Sequence, residues 1–459
     1  MSARPTPLLR ASQLLALLLT GAAYWGLAYA TPRAHFAQLV GLFAVAGAAY
    51  IWLLHTRLPL RWGLGAALVF RLLWLPATPA LSDDFYRFRW DGLLASHGHN
   101  PFAETPRQLL AHPPTDSAAL PLAELRQLLP HLNSPNYFSV YPPVCQGLYA
   151  AAAAAFPTSE TGFLLAVRLA LLLTDAGAAA LLLWLLPRAG WPARRALAYL
   201  LHPLAIVEVM GNVHMEGVVV CFLLLAGALL VHRRVALAAG TLSLAVATKL
   251  LPLLVLPLLV RRLGWAQFWR FGLVLGSSLL LLFLPFLSGE LLGHIGRSLG
   301  LYFQSFEFNA SIFYVLRALG NWQLGYDLVG ALGPLLGLGA AGLTLWLARR
   351  AGRPALAALP HWLLLTLSGY FALATTVHPW YLVPLVALSC FSPLRYARVW
   401  AGLAVLSYAA YRTPAYTESS LLLALEYGGV LAWVAAEYYR GRWRLPHSDS
   451  TAGASARAR

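Results

Sequence analysis

The run TGFLLAVRLALLLTDAGAAALLLWLL, residues 161–186, contains only two charged residues, Arg168 and Asp175, in twenty-six. It exceeds the roughly twenty apolar residues that carry a helix across a bilayer. Comparable runs recur at 217–231 and 270–288. Across all 459 residues, 59% are apolar and 11% charged, against about 25% charged in an ordinary soluble domain. Such a chain cannot cover its own surface in water. The composition excludes a soluble enzyme, a disordered protein and a nucleic-acid-binding domain, and predicts an all-α polytopic membrane protein.

The net charge of +16 would suit an anionic partner, but in a membrane protein it marks the inner loops. Thirty-two of the thirty-three basic residues are Arg. Read by the positive-inside rule, the chain has about fourteen crossings with both termini inside. This assignment puts twenty-two arginines on the inner side and eight on the outer, with Arg71 and Arg168 inside spans. Residues 1–444 then form one membrane-embedded domain, and 445–459 a disordered inner tail. The stretch after Arg4 and Arg10 has no small-residue cleavage site and reads as a retained first helix. Segment 141–156 is expected to be re-entrant or interfacial. Run 235–260, with arginine pairs at both ends, is expected to form two short helices meeting at Lys249, the only lysine. Cys145, Cys221 and Cys390 show no metal-ligand spacing and read as buried thiols.

The acidic residues sort the other way: thirteen of seventeen fall in or beside outer loops. The long loops 81–160 and 289–325 carry Asp83, Asp84, Asp91, His97, His99, Asn100, Glu307 and Asn309. Hairpin tips carry Asn212, His214 and Glu216, then Lys249, then His378, Trp380 and Tyr381, then Arg412, Tyr416 and Glu418. One loop tip with polar residues is ordinary. Together on one face, these connections predict a single polar site roofing the membrane. Adjacent carboxylates repel, so at least one of Asp83 and Asp84 is expected to have a raised pKa unless a cation neutralises the pair. A simpler reading of the same residues is a helix start, with Ser82 as N-cap and acidic residues in the first turn.

The run Asp83-Asp84-Phe85-Tyr86-Arg87-Phe88-Arg89-Trp90-Asp91-Gly92, followed by Gly98-His99-Asn100-Pro101-Phe102 and Tyr141-Pro142-Pro143, resembles the first outer loop of GT-C superfamily glycosyltransferases. It is most similar to bacterial polyprenol-phosphate-mannose-dependent mannosyltransferases and to the catalytic subunit of glycosylphosphatidylinositol mannosyltransferase I. Thr248-Lys249-Leu250-Leu251-Pro252 and His378-Pro379-Trp380-Tyr381 resemble further segments of bacterial members. The resemblance implies a GT-C-like helix bundle in the bacterial inner membrane. It implies transfer of a sugar, foremost mannose, from a polyprenyl-phosphate donor to a lipid or glycan acceptor on the outer face. It also implies an aspartate base, a role that falls on Asp83 or Asp84.

Inverting transfer needs one carboxylate to take the acceptor's proton, and cations to hold the departing phosphate. Lys249 is the first candidate cation, with a snorkelling lysine as its alternative; His378 and Arg412 follow. Trp380 and Tyr381 would stack on sugar or prenyl chain. Tyr86, Arg87, Asp91, His99, Asn100, Tyr141, His214 and Glu216 complete the substrate-binding set. A divalent cation could bridge phosphate and carboxylate, but no metal-ligand spacing is present. Two competing readings are a transporter or flippase of lipid-linked sugars, which predicts inverted repeats, and a ligase of lipid-linked glycans, which predicts a site led by Arg and His.

Overall fold

The computed structural model describes residues 6–113, 120–304, 306–324, 329–413 and 416–443, so the tail expected at 445–459 lies outside the described residues. The fold is helical throughout. Among the described residues no strand forms, and one isolated bridge joins Phe308 to Thr376.

Seven helices are long and apolar enough to cross a membrane: Pro7–Tyr29, Phe36–His55, Glu160–Arg188, Trp265–Phe286, Gly330–Ala351, Leu356–Leu373 and Ser420–Tyr439. An eighth candidate is the pair Pro203–Gly211 and Glu216–Val231, bent by 111°. On helix length and composition, this is a membrane protein. The quoted run lies in the longest helix, Glu160–Arg188, whose 29 residues span about 43 Å. Ser159 caps it by accepting from the Gly162 N–H at 3.0 Å, and Glu160 and Arg188 complement the helix dipole at its two ends.

The other apolar segments are broken into short helices, frequently at proline. Run 235–260 divides into Val235–Val246, a turn through Lys249, and the short helices Leu251–Val255 and Leu256–Leu263. Arg71 and Asp175 form a buried ion pair between the helix Leu60–Leu72 and the long helix. Tyr199 also donates to Asp175, at 2.8 Å. A buried guanidinium and carboxylate are tolerated only when paired and hydrogen-bonded in this way.

The segment after the helix Leu60–Leu72 positions the functional region. Helix Asp84–Ser96 packs against helix Pro143–Ala155. The contact is closest at Gly92, where an added Cβ would stand 2.4 Å from the Tyr149 carbonyl oxygen. Glycine is therefore required at this crossing. Asp91, fully buried, accepts from Arg87 Nε at 2.8 Å, Ser139 Oγ at 2.5 Å and Gln146 Nε2 at 3.0 Å. Arg87 also donates to the Ser134 and Tyr137 carbonyls, at 3.2 and 2.9 Å. These bonds fasten the first long loop to the two helices beneath it.

Candidate active site

Asp83 precedes the first turn of Asp84–Ser96, and its Oδ2 lies 2.5 Å from Arg33 Nη1. Asp84 begins the helix, with its N–H donating to Ser82 Oγ at 3.2 Å. Asn133 Nδ2 donates to Asp84 Oδ1 at 2.7 Å, and His214 Nε2 stands 3.6 Å from Oδ2. Burial alone would raise the Asp84 pKa. Hydrogen bonding and charge from His214, together with Asn133, win and hold the carboxyl below its usual range. Each aspartate thus has its own cation, and the raised pKa expected for an unneutralised pair does not develop at Asp84.

His214 is presented by an irregular turn. Residues Val207–Gly211 form a π-helical turn, a distortion frequent at functional sites. Two residues further on, Val213 has φ +56° and is fully buried. A β-branched residue in that region is strained and persists only where its surroundings enforce it. Asn212 N–H bonds the Val207 carbonyl at 2.9 Å, and His214 N–H bonds the Glu208 carbonyl at 3.0 Å. Glu208 is fully buried. Its side chain accepts from Asn212 Nδ2 and from His214 Nδ1, both at 3.0 Å, and from the Tyr408 hydroxyl. Burial lowers the His214 pKa, but carboxylates at both ring nitrogens outweigh it, and the imidazole is pushed up to about 9. At neutral pH it is an imidazolium held between Asp84 and Glu208.

Above His214 the rings form a column. Its imidazole stacks on Trp380 at 4.0 Å, Trp380 on His378 at 4.3 Å, and His378 on Phe308 at 4.7 Å. Phe308 is held there by backbone bonds to Thr375 and Val377, at 3.0 and 2.8 Å. Asn309, at φ +48°, secures the next position by bonding Glu418 and Glu426. Burial pushes His378 down to about 3, helped by the positive charges of Lys249 and His214. It is therefore neutral, and its Nδ1 is buried without a hydrogen-bond partner. Beside the column, Lys249 pairs with Glu216 and lies 4.0 Å over the Tyr381 ring. Tyr381 in turn meets His378 edge-on at 5.3 Å.

Eight of the residues singled out from sequence therefore meet: Asp84, Asn212, His214, Glu216, Lys249, His378, Trp380 and Tyr381. The others lie apart from this cluster. Asp83 is at its edge on Arg33. Arg412 is exposed, with its guanidinium 5.3 Å over Phe36. Arg87 and Asp91 fasten the scaffold, and Tyr141 packs against Phe88 and Tyr149. Tyr86 stacks on His131. Asn100 Nδ2 reaches the Phe286 carbonyl at 2.9 Å, and His99 N–H bonds the Leu94 carbonyl. Three residues that the motif reading did not single out belong to the cluster: Glu208, Tyr408 and Asn133. Glu208 had a visible signal, a carboxylate inside an apolar segment. Among the described residues, no three His, Cys, Asp or Glu side chains gather as a metal site.

Comparison with known proteins places the chain in an enzyme family. The family model for the alpha-(1->6)-mannopyranosyltransferase N-terminal domain of the MptA_B family matches residues 9–265. No protein of curated function matches the chain. The matched region carries Asp84, Glu208, His214, Glu216 and Lys249 and covers more than half of the sequence. The chain belongs to the MptA_B alpha-(1->6)-mannopyranosyltransferase family, and is a membrane-embedded mannosyltransferase.

Proposed function

We propose that the protein transfers mannose from a polyprenyl-phosphate donor to a lipid or glycan acceptor, with inversion and with Asp84 as the base. The observation that carries this reading is the placement of Asp84: an ionised carboxylate, 19% exposed, beside the His214 imidazolium in a ring-walled cluster. The acceptor hydroxyl attacks the anomeric carbon and gives its proton to Asp84. The bond from that carbon to the phosphate oxygen breaks on the opposite face. A phosphate needs no strong general acid, so the protein's second task is to hold the departing charge. Lys249 takes that role in this reading, although Glu216 already neutralises it. Donor binding therefore requires the phosphate to share or displace Glu216. Trp380 is stacked between His214 and His378, so in this reading it steadies the imidazolium rather than stacking on the sugar.

The reading includes a topology. The cluster faces outward from a bacterial inner membrane, both termini are inside, and the short broken helices contribute crossings that bring the total to about fourteen. Residues 1–444 act as one catalytic domain. Inversion is tested by NMR of the product formed from a donor of known anomeric configuration. An opposite configuration at the new linkage supports a single displacement. Retention contradicts it.

A further inference from the structure

We propose that Arg168 is a positioning residue for mannosyl transfer: its buried guanidinium bolts the segment leading into Asp84 to the turn that presents His214, and so sets their separation. The proposal rests on the assignment of Asp84 as base.

Arg168 lies within the helix Glu160–Arg188 and is fully buried. It makes no ion pair with a described carboxylate, and all its bonds go to backbone carbonyls. Nε donates to Met210 O at 2.7 Å and Nη2 to Gly211 O at 3.0 Å. Nη1 donates to Leu75 O at 3.2 Å and to Ala77 O. Met210 and Gly211 end the π-helical turn, where carbonyls lose their partners within the helix. Leu75 and Ala77 lie in the turns after Leu60–Leu72. Asp84 follows Ala77 by seven residues, and His214 follows Gly211 by three.

An unpaired guanidinium is expensive inside a membrane protein, and an apolar side chain would fill the space with less penalty. What an apolar residue cannot do is hold two separate segments at a fixed distance. The planar guanidinium presents donors in fixed directions, and here they divide between the two segments. A second contact joins the same pair: a Cβ on Gly211 would come within 2.8 Å of the Trp74 ring. The junction is therefore held by a polar bolt and by close packing.

The groups facing Asp84 are His214 and, behind it, Glu208 from the turn, Asn133 from the first loop, His378 from its tip, and Tyr408 and Tyr411. Among these, only His214 is an imidazolium at ion-pair distance, 3.6 Å from the carboxylate. If the junction loosens, His214 moves from Asp84, and burial then raises the carboxyl.

The test measures kcat and donor KM against pH, with thermal midpoints, for wild type, Arg168→Lys and Gly211→Ala. Lysine keeps the charge but cannot reach both segments. Gly211→Ala disturbs the junction through Trp74 without altering the charge. Both variants are expected to lose about tenfold to hundredfold in kcat, the scale of a misplacement near 1 Å. Donor KM should change less than about threefold, and the acidic limb of the kcat profile should move to higher pH. A lower thermal midpoint with the acidic limb unmoved in both would show a merely structural arginine and overturn the proposal. Asp84→Asn, run alongside, separates the two claims. Wild-type turnover in that variant defeats the base assignment itself. An inactive Asp84→Asn with unmoved limbs in the other variants defeats only the role of Arg168.

Discussion

Replacing His214 by Gln removes the imidazolium beside Asp84 while keeping a side chain that can hydrogen-bond. Two unit charges 3.6 Å apart attract by about 4–5 kcal/mol at an effective dielectric near 20. Asp84 remains 19% exposed, so solvent screening leaves a fraction of that, about 1.5–3 kcal/mol. If the carboxylate must be ionised and oriented at the moment of attack, this corresponds to a tenfold to hundredfold loss of kcat at neutral pH, since about 1.4 kcal/mol is one decade. The pH profile carries the sharper signature. In the wild type, His214 is raised to about 9, so its imidazolium stays beside Asp84 through neutral pH and its contribution to the rate disappears as pH rises through about 9. In His214→Gln that alkaline loss is absent. The acidic limb moves up, because burial is no longer outweighed at Asp84. The assay is transfer from radiolabelled polyprenyl-phosphate-mannose in nanodiscs between pH 4 and 10. A variant with the wild-type profile and rate would refute the argument that His214 tunes the base.

Other substitutions give distinct outcomes. Lys249→Met should weaken donor binding and transfer at least about tenfold, since charge-assisted contacts to phosphate are strong, and Lys249→Arg should recover only part; a Met variant with wild-type donor affinity would remove Lys249 from the site. Gly92→Ala should lower the yield of folded protein and the thermal midpoint, by about 1–3 kcal/mol of overpacking against Tyr149, and an unchanged midpoint would contradict the close crossing. Cysteines at Arg107 and Glu290 should label from outside intact cells and one at Arg349 should not. The reverse pattern would overturn the topology.

Membrane character could be read from composition, whereas the helix count depended on breaks that hydropathy hides. Windows near 62–80, 196–209 and 380–392 are apolar enough to read as spans, yet the chain there is divided into short helices and turns. The cluster shows the same division. Asp84, His214, Lys249 and His378 stood out because charged or imidazole side chains are rare in so apolar a chain. Glu208 shows in the sequence only as a carboxylate in an apolar segment; its partners depend on a π-helical turn and a strained Val213, neither of which has a sequence period. Arg87 and Asp91 read as substrate contacts on the strength of their motif. Their i,i+4 spacing already suited an intrahelical pair, and the structure uses them to fasten helices. Asn133 and Arg33 reach the aspartates from 49 and 50 residues away, a proximity that only the folded chain reveals.

The central claim is that Asp84 takes the acceptor's proton while Asp83 does not. The direct measurement is single-turnover transfer by purified Asp84→Asn and Asp83→Asn proteins, each shown to be folded and to bind the polyprenyl-phosphate-mannose donor. The account predicts a loss of about 10²-fold or more for Asp84→Asn, with Asp83→Asn retaining most of its rate. Near wild-type turnover by Asp84→Asn would contradict it.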